Sequence, residues 1–343
     1  MAESEDRRIV PDVITTVAKG AGALLAGGVG LGGAWIAYSA VFVNHDVPLP
    51  EAIDARRRRF TSSAGGRVSY YADESSDGRP LALIHSVNAA ASAYEVRPLF
   101  QDFRDERPVY AIDLPGFGFS DRTDRVYFPD LYVDTLIDWI ESQLQGQPQP
   151  VDVVALSLSA EFAALAALRR PDLFHSLTLI SPTGFDNVDR RAGSEQVYRT
   201  ASFPVWSQAF YDLLTTKRSI RYFLRKTFAG PVDEAMVEYA YMTSHQPAAR
   251  FAPLYFISGH LFTPLIRDVY GALTTPTLVI ANEDEYVAYD ALPEFLDGHP
   301  LWRAVNVDGA KSLPHFEKAA ETVRELRGFW QGLPAPEPAQ LEG

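Results

Sequence analysis

The chain of 343 residues contains no cysteine. That excludes a disulfide framework, thiolate chemistry and any cysteine-ligated metal. Positive charge is also scarce: 31 Lys and Arg stand against 44 Asp and Glu, a formal net charge of −13. A nucleic-acid partner is excluded with it, because phosphate neutralisation needs clustered cations. No His, Asp or Glu cluster has metal-ligand spacing, so neither a metal nor another cofactor is expected. There is no internal repeat. What remains is a chain 47 % hydrophobic and 12 % aromatic, the balance of a globular protein with a large core.

Residues 1–20 form a charged tail. Ala21–Val43 then runs AGALLAGGVGLGGAWIAYSAVFV without a charge, long enough to cross roughly 30 Å of hydrocarbon as a helix. Gly28-x-x-x-Gly32 has the spacing of closely packed membrane helices, and Trp35 and Tyr38 suit an interface. The leading expectation is an N-terminal apolar helix acting as a membrane anchor; a segment packed on the protein itself and a cleaved signal peptide are the alternatives. Arg7, Arg8 and Lys19 precede the segment and Arg56–Arg59 follow it, a balance that places the main domain on the cytoplasmic side. The arginine run itself reads either as a solvated turn or as a contact for anionic lipid head groups.

After a linker over 44–59, apolar runs and helical patterns alternate. Phe60–Ser63 and Arg67–Ala72 read as a hairpin, and Leu81–His85, Val109–Asp113, Val151–Leu156 and Ser176–Ser181 as strands. From Pro182 to about Gly271 the chain becomes aromatic-rich and helical. Strands resume at Pro276–Ala281 and Trp302–Val307, followed by a helix near Phe316–Trp330 and a Pro-rich tail over 333–343. This is an α/β pattern, a mostly parallel sheet flanked by helices. Its core would be 60–181 and 272–332, with a helical cap at 182–271.

The centre of the chain is VDVVALSLSAEFA, Val151–Ala163. A strand runs into a helix with no Gly, Pro, Asn or Asp between them, so the turn must be very tight. Ala155 and Ser159 flank Ser157 at minus two and plus two, the small-x-Ser-x-small form of an elbow that lifts a serine hydroxyl above a sheet. Ser159 is the competing nucleophile, but Glu161, two residues on, is too large for its elbow.

Four motifs in order resemble the α/β-hydrolase family. They are Leu81-Ala82-Leu83-Ile84-His85-Ser86, Asp113-Leu114-Pro115-Gly116-Phe117-Gly118-Phe119-Ser120, the elbow itself, and Pro276–Val287. The second is close to the family's Asp-x-Pro-Gly-x-Gly-x-Ser loop. The resemblance covers Phe60–Trp330 and implies a serine hydrolase with a Ser-acid-His triad. Position 157 sets aside the branches that use an aspartate nucleophile. The acid is Asp284, or Glu285 if counted forward from Pro276. The family's closing signature, near Gly-x-Gly-His-x-x-His-x-Glu, appears here as Gly309-Ala310-Lys311-Ser312-Leu313-Pro314-His315-Phe316-Glu317. Ser312 therefore stands at the base position and only the second histidine, His315, is kept. His315 is either the base, reaching the site from a shifted loop, or a residue that packs on the last helix. The resemblance places the oxyanion donors at the backbone N–H groups of Leu158 and of the Ser86–Val87 turn, Val87 in particular, with the Asn88 amide beside them.

The function expected is acyl transfer: Ser157 attacks the carbonyl of an ester or thioester of an apolar small molecule, His315 moves the proton and Asp284 orients the imidazole. The competing expectations are a binding protein on the same fold that has lost its base, and altered chemistry such as acyl transfer to an acceptor other than water.

Overall fold

The computed structural model describes residues 29–144, 150–186 and 193–333. Eight strands form one sheet in the order β1-β2-β4-β3-β5-β6-β7-β8. They are β1 Arg56–Ser62, β2 Gly66–Asp73, β3 Leu81–Ile84, β4 Val109–Asp113, β5 Val151–Leu156, β6 Phe174–Ile180, β7 Thr277–Ile280 and β8 Trp302–Val305. The β1–β2 and β2–β4 pairs are antiparallel and all others parallel. Every residue of β3, β4, β5 and β7 is buried. A parallel sheet covered on both faces requires this, and it is why these strands read as continuous apolar runs rather than alternating ones.

The arginine run belongs to β1, an edge strand, so the linker ends earlier than its expected boundary at residue 59. Arg57 pairs with Glu51 at 2.7 Å and Arg58 with Glu74 at 2.5 Å. Charged side chains on an edge strand also discourage pairing with another chain.

Parallel strands bring their carboxyl ends to one side of the sheet, where ligands bind in open α/β folds. The loops after β3, β4, β5, β6 and β7 all emerge there. Between β6 and β7 the described residues form six helices, Glu195–Ala201, Ser207–Leu214, Lys217–Thr227, Glu234–Ser244, Phe251–Ile257 and Ile266–Gly271. Many of their aromatics pack on one another: Tyr198 on Tyr255 at 4.3 Å, Phe203 on Trp206 at 4.4 Å, Phe256 on Phe262 at 5.9 Å. Much of the aromatic signal in this stretch is therefore the layer's own core. It is tied to the sheet loops by Tyr211, whose hydroxyl donates to the Ala89 carbonyl at 2.7 Å, and by Arg122, which donates to the Thr243 carbonyl at 2.7 Å.

The membrane-crossing helix expected over Ala21–Val43 finds no support: among the described residues no helix is long and apolar enough to cross a membrane. The segment forms a helix of 14 residues, Val29–Phe42, about 21 Å long at the usual rise. The part of the run before Val29 lies outside the described residues. One side of this helix is held to the 207–214 helix: the Trp35 indole donates to the Ala209 carbonyl at 2.8 Å, and the Ser39 hydroxyl donates to Asp212 at 2.5 Å. His45 Nε2 joins the same carboxylate at 2.9 Å.

Candidate active site

Ser157 has φ of 52°, in the left-handed region where a side chain is strained. The strain follows from the connection. β5 ends at Leu156, and the helix Ser159–Arg169 begins two residues later with Leu158 already helical at φ −61° and ψ −29°. One residue must reverse the chain, and Ser157 does so with its N–H on the Ile180 carbonyl at 2.8 Å. Ala155 and Ser159 are completely buried against this turn. The Ser159 hydroxyl is spent on the Leu156 carbonyl at 2.7 Å, whereas Ser157 is partly exposed.

The two N–H groups expected as oxyanion donors are those of Leu158, next to Ser157 in the chain, and Val87, in the turn after β3. Neither meets a backbone carbonyl among the described residues. The Val87 turn is held from behind. Ser86 N–H donates to Glu95 Oε2 at 2.8 Å and the Asn88 amide to Glu95 Oε1 at 2.8 Å. The Asn88 amide expected as an extra oxyanion donor is thus used inside the turn. His85 closes it: Leu114 N–H donates to His85 Nε2 at 2.9 Å, which leaves Nδ1–H for the Ser86 carbonyl at 2.5 Å. Burial lowers the His85 pKa to about 4, so the ring is neutral. Next door, Asp113 accepts from the N–H groups of Ala93 and Phe119, both at 2.9 Å. A Cβ on Gly118 would lie 2.0 Å from that carboxyl group, which is the physical reason for glycine at that place in the loop. Burial raises the Asp113 pKa to about 6.

Asp284 faces inward after β7. Its Oδ1 accepts from Tyr286 N–H at 2.6 Å and Val287 N–H at 3.1 Å. Burial raises its pKa and the neighbouring Ser312 hydroxyl pulls it back down, although Ser312 Oγ completes no hydrogen bond of good geometry. Glu283 and Glu285 turn outward, to Lys311 at 3.1 and 3.7 Å. Of the two acids expected here, Asp284 is the more buried and Glu285 the exposed one.

His315 is fully buried, and its Nε2 donates to the Glu95 carbonyl at 2.7 Å. Its Nδ1 has no partner, and burial lowers its pKa to about 4. In this geometry the imidazole bonds neither Ser157 nor Asp284. The other histidines are engaged elsewhere as well: His45 with Asp212, His175 with Asp152, His245 with the Tyr241 carbonyl, His260 with Ser258 and His299 with the Phe295 carbonyl. Ser157 is tied to β6 through the Ile180 carbonyl, the adjoining Ser181 hydroxyl donates to the Ser312 carbonyl, and the Ser312 side chain lies next to Asp284. Among the described residues no histidine hydrogen-bonds to Ser157, Asp284 or Ser312.

Glu95 was not singled out by sequence, yet it organises the Val87 turn. The available signal was one acidic residue inside an apolar stretch, Ser92-Ala93-Tyr94-Glu95-Val96. Ser181 is the other such residue. It has φ of 49°, and its hydroxyl donates to the Ser312 carbonyl at 2.9 Å.

Residues 81–325 match the model of the Alpha/beta hydrolase family. The 1-acylglycerol-3-phosphate O-acyltransferase ABHD5 of Rattus norvegicus is 28 % identical over 140 residues, covering 40 % of this chain and 37 % of that protein. The match thus spans well under half of that relative's length. Strigolactone esterase D14 of Arabidopsis thaliana is 26 % identical, covering 73 % of this chain and 91 % of that one. Among solved structures, a membrane phospholipase A superposes with a TM-score of 0.63 at 18 % identity, covering 95 % of this chain and 98 % of that one. That last likeness is one of fold. The chain belongs to the α/β-hydrolase family.

Proposed function

We propose that this protein carries out acyl transfer at Ser157 on an ester or thioester of an apolar small molecule, with the Leu158 and Val87 amides receiving the oxyanion and Asp284 as the acid. The observation that carries the reading is the left-handed backbone of Ser157. A non-glycine residue held there costs on the order of 1–3 kcal/mol, and such strain persists where it presents a functional group. The Leu158 and Val87 N–H groups, which meet no backbone carbonyl among the described residues, would supply what a developing oxyanion needs, typically worth about 2.7–4 kcal/mol for each such donor. Hydrolase relatives make water the default acceptor. The apolar substrate rests on Tyr94, Tyr211 and Tyr239, buried where the helical layer meets the sheet loops.

The base is where this reading departs from a complete triad. For His315 to serve, the 311–317 loop must swing it out of a fully buried place and give up its bond to Glu95. We take it instead as a positioning residue for the Val87 turn and assign the base position to Ser312. Proton removal from Ser157 then limits turnover, since a general base typically contributes about 10²–10⁴-fold. The second reading, a ligand-binding protein without turnover, is favoured by the same absence of a histidine contact.

A serine-directed fluorophosphonate probe separates the two. Slow labelling of wild type, none of Ser157→Ala, and labelling at least a hundredfold faster in Ser312→His is the expected pattern. Folded wild type and folded Ser312→His that both stay unlabelled would establish the binding protein. Labelling lost in His315→Gln, a variant that keeps the donor to Glu95, would return the base role to His315.

For the N-terminal helix we propose peripheral contact with lipid. Tyr38, Val41 and Phe42 are 50, 70 and 71 % exposed in the order Tyr38, Phe42, Val41, and they continue an uncharged apolar run. Flotation with phosphatidylcholine and phosphatidylglycerol vesicles tests it. Binding lost in Val41→Glu/Phe42→Glu supports it, whereas a dimer in solution with no vesicle binding assigns the face to a second copy of the chain.

A further inference from the structure

We propose that the place between Ser157 and Asp284 where Ser312 stands is a binding site for a basic nitrogen carried in the acyl part of the substrate, so that the substrate brings its own general base. This rests on Ser157 being the nucleophile and names the substrate class that such a site would favour.

Asp284 Oδ1 has two backbone donors, but among the described residues no Lys, Arg or His pairs with it. Asp152, which is more deeply buried, shows what the fold provides elsewhere: Arg107, His175 at 2.7 Å and Ser176 at 2.6 Å all converge on it. A buried carboxylate without a cation is costly. Burial accordingly raises the Asp284 pKa.

Two hydroxyls near Asp284 complete no hydrogen bond of good geometry: Ser312 Oγ, on a residue 5 % exposed, which still lies close enough to lower the Asp284 pKa, and Tyr289 OH, which has only a loose approach to Ser181. Buried polar atoms normally have partners. Tyr289 senses the Asp284 charge and lies next to Ser181. Packing fixes the placement. Asn282 donates to the Ala310 carbonyl at 2.8 Å and Lys311 pairs with Glu283, which sets the 282–287 loop against the 307–312 loop. Ser181 Oγ donates to the Ser312 carbonyl, and the adjoining Ile180 carbonyl accepts from Ser157 N–H. Acid, hydroxyls and nucleophile therefore follow one another along the ends of β5, β6 and β7.

A group that completes this arrangement needs a lone pair toward Ser157 and, once protonated, an N–H toward Asp284. An imidazole, or a primary or secondary amine, has both; a tertiary amine carries a single N–H, and that one faces Ser157. The nitrogen takes the Ser157 Oγ proton as the Oγ–carbonyl carbon bond forms, and Asp284 meets the positive charge. The proton passes to the leaving alcohol or thiol as its bond to the carbonyl carbon breaks. The nitrogen, retained in the acyl group, then deprotonates the incoming water, whose oxygen displaces Ser157. Ser157 recovers its proton and the acid is released.

The test uses full-length protein and two probes. Imidazole titrated into p-nitrophenyl butyrate hydrolysis should raise the wild-type rate at least tenfold with saturation, and should have no enzyme-dependent effect in Ser157→Ala. The rise should be lost in Asp284→Asn. It should also disappear in Ser312→His, which fills the place and should hydrolyse without imidazole. Phenyl 3-(1H-imidazol-4-yl)propanoate should be cleaved, above its spontaneous rate, at least tenfold faster than its carbocyclic counterpart, phenyl 3-cyclopentylpropanoate, by wild type but not by Ser312→His. An active Ser312→His alongside a wild type that ignores imidazole and does not discriminate the two esters overturns this proposal alone. A folded Ser312→His with no more activity than Ser157→Ala overturns the Ser157 reading and this proposal with it.

Discussion

His315 Nε2 lies 2.7 Å from the carbonyl oxygen of Glu95. The Glu95 carboxylate in turn accepts from Ser86 N–H and the Asn88 amide. The histidine kept from the family's closing motif thus braces the residue that shapes the Val87 turn. Replacing it with alanine removes a donor from a buried carbonyl and opens a void, for an expected loss of about 2–4 kcal/mol in urea unfolding. His315→Gln keeps the donor and should recover most of that loss, an outcome a purely volume-filling histidine would not give.

Glu95 carries the stronger effect on the site. Glu95→Ala leaves the buried Ser86 N–H unpaired, at a cost of about 1–3 kcal/mol, and the half-buried Asn88 amide with only the Ser86 hydroxyl as partner. Fluorophosphonate labelling at Ser157 should slow at least tenfold while binding of an apolar product analogue changes less. Equal labelling in Glu95→Ala and wild type would remove the link between this carboxylate and the oxyanion turn.

The acid limb of the stability profile has a definite sign. His85 and His315 are both lowered from 6.5 to about 4 by burial. The unfolded rings take up protons below 6.5 that the folded ones refuse, so their contribution is fully present above about pH 6.5 and is lost as pH falls toward 4. Asp113, raised from 3.8 to about 6, acts oppositely in nearly the same window. His315→Gln deletes one such proton. Its unfolding free energy, measured from pH 7 to 4.5, should fall less steeply than that of wild type by about 1.4 kcal/mol per pH unit below pH 6.

Ser157 also predicts a trade between stability and function. Glycine tolerates φ of 52° without strain, whereas alanine does not. Ser157→Gly should be about 1 kcal/mol more stable than Ser157→Ala, with both unlabelled by the probe. A thermal-denaturation series in which alanine matches or exceeds glycine would mean that the turn relaxes in solution.

Asp212 is the latch of the N-terminal helix. It is almost fully buried and accepts from Ser39, His45 and Gln208. Asp212→Ala should release Gly32–Val47, seen as amide exchange at least tenfold faster there and little change in the sheet. Global unfolding without such local opening would make the helix an integral part of the fold rather than a docked element.

The order of strands and helices was legible in the sequence because both periods are local. Runs such as Leu81–Ile84 and Val151–Leu156 must be strands buried on two faces, and Ala155-Leu156-Ser157-Leu158-Ser159 leaves room only for a tight turn. The Asp113 loop was equally legible, since Gly118 is needed wherever a carboxylate occupies the space of a Cβ. The breaks were less so. The helix that leads from β3 toward β4 begins as a short 3-10 turn at Ala93–Val96, and the last helix is split at Lys318, with φ of −139°. Both depend on which side chains must reach the site.

By itself the sequence determined that a serine stands on the elbow, that an acidic loop follows β7, and that serine occupies the position after Lys311 where the family's base would stand. Those are statements about residue types at fixed places along the chain. Only the tertiary structure decided where His315 spends its Nε2, that Asp284 rather than Glu285 turns inward, and that the apolar N-terminal segment docks on Asp212. Each of these depends on contacts between residues far apart in the chain, such as His315 with Glu95 and Ser39 with Asp212. Hydrogen-bond partners at such distances are chosen by packing, which no local pattern encodes.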